Sequence, residues 1–205
     1  MARNCPLSDS LETVKAITCL EDFGDFKGFI VQRTYNDAGA LNTITAADIL
    51  TLAAWNLLKA ATNYDKIQLL PEIHQGAYTS GEKRTEDLGR IIKTLGVSRS
   101  SFEGVFVSTP QSVIESIDSY CNEPNLSIYV VNEYNQIGAL VDDHSNIATY
   151  RGIPVEDTFF VADKGFGLYA ASDKNGVSWS VAAKTTLKFA VVTPAFDVMS
   201  SLKAA

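Results

Sequence analysis

Few residues in this chain of 205 have the type and spacing to do chemistry. Asp142, Asp143 and His144 are consecutive, and Glu72 lies two positions before His74. Carboxylate oxygens and imidazole nitrogens together ligate divalent ions, so each cluster is a candidate metal site. Neither spacing defines a coordination geometry, and a solvated loop tip is the expectation for both. His74 and His144 are the chain's two histidines. Both sit in polar turns with no nucleophile beside them, and no Gly-x-Ser-x-Gly occurs, which argues against a hydrolytic triad. The glycine-rich patterns that cradle phosphates are absent as well. No catalytic residue, metal or cofactor is expected, and the chain is not read as an enzyme; an unrecognised site around Asp142, Asp143 and His144 is the third-ranked reading.

Cys5, Cys19 and Cys121 are odd in number and unrelated in spacing, which fits reduced thiols in a reducing compartment. Cys121 falls on the apolar face of a helical pattern and Cys19 beside Leu20, so both read as structural thiols. The aromatic residues Tyr129, Tyr134, Phe159, Phe160, Phe166 and Tyr169 could stack on a sugar or a base, but strands recruit aromatics for packing, and core or interface is the expectation.

Composition narrows the partners. Acidic residues exceed basic ones by 24 − 17 = 7, so the bulk surface lacks the clustered cations that displace counterions from a phosphate backbone. The longest apolar stretch, Ile49 to Ala61, is interrupted by Thr51, Asn56 and Lys59 and falls short of the roughly 20 residues of a membrane span. Asp9 and Glu12 break the amino-terminal stretch where a signal peptide needs an apolar centre, so none is expected.

The elements that position these residues read mainly as β. Phe26 to Thr34 is a strand followed by the turn Asn36-Asp37-Ala38-Gly39. Thr45-Ala46-Ala47-Asp48 resembles a capping box leading into a helix over 46–62, so apolar around its circumference that it must be covered on several sides, by the core or by a subunit interface. Arg90 to Leu95 and Ser101 to Ser108 read as strands. Thr109 as N-cap and Pro110 at the first helical position start a second helix over 110–122, with Val113, Ile114, Ile117, Tyr120 and Cys121 on one face. Leu126 to Val131 and Ile137 to Val141 are strands about a turn, and everything after them reads as β. Asn175-Gly176 suits a type I′ turn opening a strand in which Val177, Trp179, Val181 and Ala183 alternate inward, and Leu187 to Val192 supplies one more. The expectation is a β-dominated α+β fold, a β-sandwich or partly closed barrel with two helices.

Between Glu72 and Arg90 no amphipathic period survives. A stretch this long without its own pattern has a task in a compact domain, so the single domain 1–205 is expected to carry 72–90 as a protruding arm or long hairpin. The mixed-sign cluster Glu82, Lys83, Arg84, Glu86 and Asp87 is the candidate subunit interface.

From Phe102 onward the order is strand, Thr109-Pro110 helix, Pro124 break, Leu126–Val131 strand, turn, returning strand and a β-only end; Asn132-Glu133-Tyr134-Asn135-Gln136 and Tyr150-Arg151-Gly152-Ile153-Pro154 add texture. Over residues 26 to 192 this resembles the tail tube proteins of tailed bacteriophages, or a related virion structural protein. The helix over 46–61 does not map onto that pattern. The resemblance implies a sandwich or barrel flanked by a helix, stacked hexameric rings formed by self-association, and residues 72–90 as the arm to a neighbouring ring. It further implies other phage tail proteins as partners, DNA that passes the lumen without specific binding, no membrane contact, and a place in the virion after assembly in the bacterial host cytoplasm. An acidic chain suits such a lumen, since carboxylates repel phosphate. The alternatives are another tail or connector component, or another self-assembling or carbohydrate-binding β module.

Overall fold

The computed structural model describes residues 23–203 except Leu88, Arg90, Ile91, Glu156 and 168–170. Cys5, Asp9, Glu12, Cys19 and Tyr169 lie outside the described residues. The strands and helices run β1 (Phe26–Arg33), β2 (Ile44–Thr45), α1 (Leu52–Ala60), β3 (Ile67–Leu69), β4 (Ile73–Thr79), β5 (Lys83–Asp87), β6 (Ile92–Val97) and β7 (Ser100–Val107). There follow α2 (Gln111–Asp118), β8 (Leu126–Asn132), β9 (Ile137–Leu140), β10 (Thr149–Tyr150), β11 (Ile153–Pro154), β12 (Phe160–Gly165), β13 (Lys174–Val181), β14 (Phe189–Val192) and α3 (Val198–Lys203). The fold is α+β and β-dominated, with 43% strand against 20% helix, and none of its sheets closes into a barrel. Of the two expected forms it is the sandwich.

The larger sheet has the order β14-β9-β8-β1-β3, with β11 also on β8; the smaller is β12-β13-β7-β4. Every residue of β8 is buried, as are five consecutive residues of β1. Such strands need cover on both faces. On one face Phe29, Val31, Leu126, Ile128 and Val130 meet Phe102, Phe106, Val177, Trp179 and Val181 of the smaller sheet, with Ile114 and Ile117 of α2 closing the flank. The Phe102 ring stacks on Trp179 at 4.2 Å between centroids, and Phe29 meets both edge-on at 4.9 and 4.5 Å. Each such pair adds about 0.5–1.5 kcal/mol to the area it buries.

On the other face Ile30, Tyr129, Val131, Ile137 and Ala139 are covered by Ile49, Trp55, Val198 and Leu202 from the helical layer. The Trp55 ring meets Tyr129 edge-on at 5.5 Å. Buried hydroxyls and amides need partners here. Tyr129 Oη donates to Gln32 Oε1 (3.2 Å), whose Nε2 donates to the Asp65 carbonyl (2.7 Å), and burial pushes the Tyr129 phenol well above its ordinary range.

Four local expectations are corrected. The capping box forms, with the Asp48 amide donating to Thr45 Oγ1 (3.1 Å), but it caps only a 3-10 turn over Asp48–Leu50. Thr51 is extended and α1 starts after it; Trp55 Nε1 takes the Ile49 carbonyl (3.0 Å), so side-chain packing displaces the helical ladder. Within α1 only Trp55 is buried, and Leu57 is 74% exposed, so the helix is covered along one side rather than several. At α2 Pro110 is itself the N-cap, and Thr109 makes no capping bond. Asn175-Gly176 is not a turn: it lies inside β13, where Gly176 pairs with Val105 of β7 and Asn175 Nδ2 donates to the Ala162 carbonyl (3.2 Å) at an irregularity in β12. A strand paired on both sides overrides the turn preference.

The carboxyl end carries a third helix where only β was expected. Asp197 caps α3, its Oδ1 accepting the Ser200 amide (2.8 Å), while Asn135 Oδ1 accepts the Val198 amide (2.8 Å) and Lys59 Nζ donates to the Leu202 carbonyl (2.6 Å). The Ser200 bonds hold the Asp197 carboxyl below the usual carboxylate range.

Two outcomes test this packing. A Cβ on Gly138 would sit 2.2 Å from the Phe189 ring and 2.6 Å from Val130, so Gly138→Ala should destabilise by about 1–3 kcal/mol in denaturant unfolding. Because folding lowers the Asp197 pKa, its contribution is present above the unfolded value near 3.9 and is lost as pH falls below it. The gap in thermal midpoint between wild type and Asp197→Asn should therefore shrink below about pH 4.

Candidate assembly surface

The segment expected as an arm divides at residue 80. Glu72 is exposed beside the start of β4, and β4 belongs to the smaller sheet, where it pairs with β7 and buries Ile73. Beyond it β5 and β6 form a two-stranded sheet of their own. The register carries across the joint, because Tyr78 opposes Phe102 and Thr79 opposes Ser101, then Lys83 opposes Val97 and Arg84 opposes Gly96. The two ladders form one long hairpin, rooted in the sandwich and free at its tip.

Serine hydroxyls splice the joint. The Glu82 amide donates to Ser98 Oγ (2.8 Å) and the Gly81 amide to Ser100 Oγ (3.0 Å), while the Ser98 amide returns a bond to the Glu82 carbonyl (2.8 Å). Gly81 is required there, since a Cβ would sit 2.0 Å from the Ser98 carbonyl oxygen. At a strand rise near 3.3 Å, the chain from Thr79 to Asp87 reaches about 26 Å beyond the sandwich.

The five candidate interface residues Glu82, Lys83, Arg84, Glu86 and Asp87 are all exposed, Glu82 at the joint and the others on β5. Lys93, Thr94, Leu95, Gly96 and Val97 on β6 are exposed too. Glu86 opposes Lys93 across the hairpin, an opposite-charge pair, and Asp87 Oδ1 accepts the Gly89 amide (2.8 Å) to start the tip. With no buried face, this ribbon has little stability of its own, and its two outer edges present N–H and C=O groups that no strand of the chain pairs among the described residues. Sequence reading found β5 but missed that β6 completes it, because exposed strands carry no apolar alternation.

The chemical candidates disperse. Asp142 Oδ1 faces Arg151 Nη2 (3.3 Å) and Lys188 Nζ (4.0 Å), Asp143 Oδ1 accepts the Ser145 amide (2.8 Å), and His144 Nε2 donates to the Leu187 carbonyl (3.1 Å). Their polar atoms point to three different partners. Glu72 and His74 line a groove of about 430 Å³ with Asp25, Lys27 and Glu133, and no metal-binding group of three side chains forms among the described residues. Cys121 Sγ donates to Asp118 Oδ1 (3.4 Å), and burial, then this carboxylate, pushes the thiol up, away from nucleophilic character. Of the aromatic set, Tyr129 and Phe159 are core residues, whereas Tyr134, Phe160 and Phe166 are exposed.

Asp142 serves as a surface ion-pair partner, so Asp142→Ala should cost no more than about 1 kcal/mol, and millimolar calcium or manganese should leave the thermal midpoint of both proteins unchanged. A midpoint that rises with metal in wild type only would make the cluster a metal site.

Compared with known proteins, the chain matches no family model and no curated sequence.

Proposed function

We propose that this chain is a structural subunit of a virion that assembles with copies of itself, and that its specific form is the tail tube subunit of a tailed phage. The observation that supports the reading most is the hairpin of β5 and β6: an exposed ribbon about 26 Å long with no core of its own, held in line with the sandwich by a spliced joint. Order of that kind is useful to a chain that reaches a neighbour, because a partner strand or surface supplies the burial the ribbon lacks. The sandwich itself suits a wall element, having two layers of cover over its central strands. The acidic balance of 24 to 17 favours a conduit that DNA passes without adhering.

In this reading Lys83 and Arg84 meet carboxylates of an adjacent subunit. Lys83→Glu/Arg84→Glu should then abolish high-order assembly in sedimentation while circular dichroism stays that of wild type. One exposed pair contributes only about 0.2–1 kcal/mol, but each contact recurs in every subunit of an assembly. Undiminished assembly of the double variant would take the hairpin out of the interface.

A further inference from the structure

The order of charges along β5 is specific enough to name the carboxylates. Lys83 and Arg84 precede Thr85, and Glu86 and Asp87 follow it, so the strand is positive in its first half and negative in its second. All five are exposed, and β5 pairs with β6 on one side only. We propose that β5 pairs with β5 of a second copy, antiparallel and centred on Thr85, so that two hairpins join into one four-stranded sheet. The inference rests on the reading of the hairpin as an assembly arm.

In that register Lys83 opposes Asp87 and Arg84 opposes Glu86 of the other copy, and the two-fold axis repeats both pairs. Residues 83, 85 and 87 share one face and 84 and 86 the other, so both faces of the new sheet are matched in sign. The neighbouring registers are worse. Sliding by one residue in one direction opposes Glu82 to Asp87; sliding by two sets Arg84 against itself or Glu86 against itself. A parallel pairing in register puts every charge against its own sign. Charge complementarity thus selects both direction and register, which an edge strand needs if it is to pair with one partner rather than aggregate.

A two-fold contact uses the same surface on both chains, whereas head-to-tail rings stacked in a tube join unlike surfaces. The pairing is therefore the contact of the free subunits, shielding the open edge until ring formation exchanges it for a neighbour's surface.

Cross-linking tests the register directly. Opposed residues of an antiparallel pair have Cα atoms about 4.5–5.5 Å apart, inside the range a disulfide spans. With Cys5, Cys19 and Cys121 replaced by serine, Thr85→Cys should form a disulfide-linked dimer in the soluble protein under mild oxidation. Lys83→Cys, about 14 Å from its own copy at a strand rise near 3.4 Å, should not. In the natural cysteine background, Arg84→Glu should weaken dimer formation about tenfold, or 1.4 kcal/mol, by sedimentation at low salt. Arg84→Glu/Glu86→Arg/Lys93→Glu, which restores both the intermolecular pair and the pair inside the hairpin, should recover it. Absence of the Thr85→Cys dimer, equal cross-linking at position 83, or no recovery in the charge swap overturns the pairing. Rings or tubes that form without the Thr85→Cys dimer would leave the assembly reading standing. A Thr85→Cys dimer in a chain that never grows beyond pairs would support the pairing and remove the tube.

Discussion

The pairing of β1 with β8 governs the rest of the molecule, because both strands are apolar on both faces. A strand with one wet face can sit on a two-layer sandwich; these cannot. One face is closed by the smaller sheet, through the Phe29, Phe102 and Trp179 rings, and the other by Ile49, Trp55 and the two residues of α3 that point inward, Val198 and Leu202. The buried amide of Gln32, held by Tyr129 and the Asp65 carbonyl, marks where β1 passes under that second layer without an unsatisfied group. Three layers are thus the consequence of two strands.

This cover uses most of the chain's apolar side chains, and β5 with β6 is what remains outside it. Extension along a register already set by β4 and β7 explains how a ribbon with no core keeps its direction: Ser98 and Ser100 take the amide protons of Glu82 and Gly81 where the joint is spliced. Its charges are therefore presented in fixed order, and fixed order is what turns a run of solvated side chains into a surface able to discriminate among partners. The dispersal of Asp142, Asp143 and His144 toward separate partners, by contrast, gives that loop a structural use in tying β9 and the segment before β14 together.

The legible parts of the sequence were those where burial is one-sided or complete. The alternation of Phe102, Gly104 and Phe106 and of Val177, Trp179 and Val181 reports a strand with one inner face, and the unbroken apolar run of β8 reports a strand with two. The misread places are those where a tertiary partner outbids a local preference. Asn175-Gly176 has the composition of a tight turn but lies between β12 and β7, with the Asn175 amide serving the Ala162 carbonyl. The helix expected over 46–62 breaks at Thr51 because Trp55 claims the Ile49 carbonyl. The short α3, six residues long, has too few turns to show a period. As for the candidate surface, its charges were visible at once, but Ser98 and Ser100, which hold it in line, are ordinary loop residues until the partner strand is known.

The account's central claim is that the hairpin exists to contact other copies of this chain. Electron microscopy of the purified full chain across a range of concentration and salt tests it most directly. Rings, or tubes built from them, are the predicted result; single unassembled particles under every condition would contradict it.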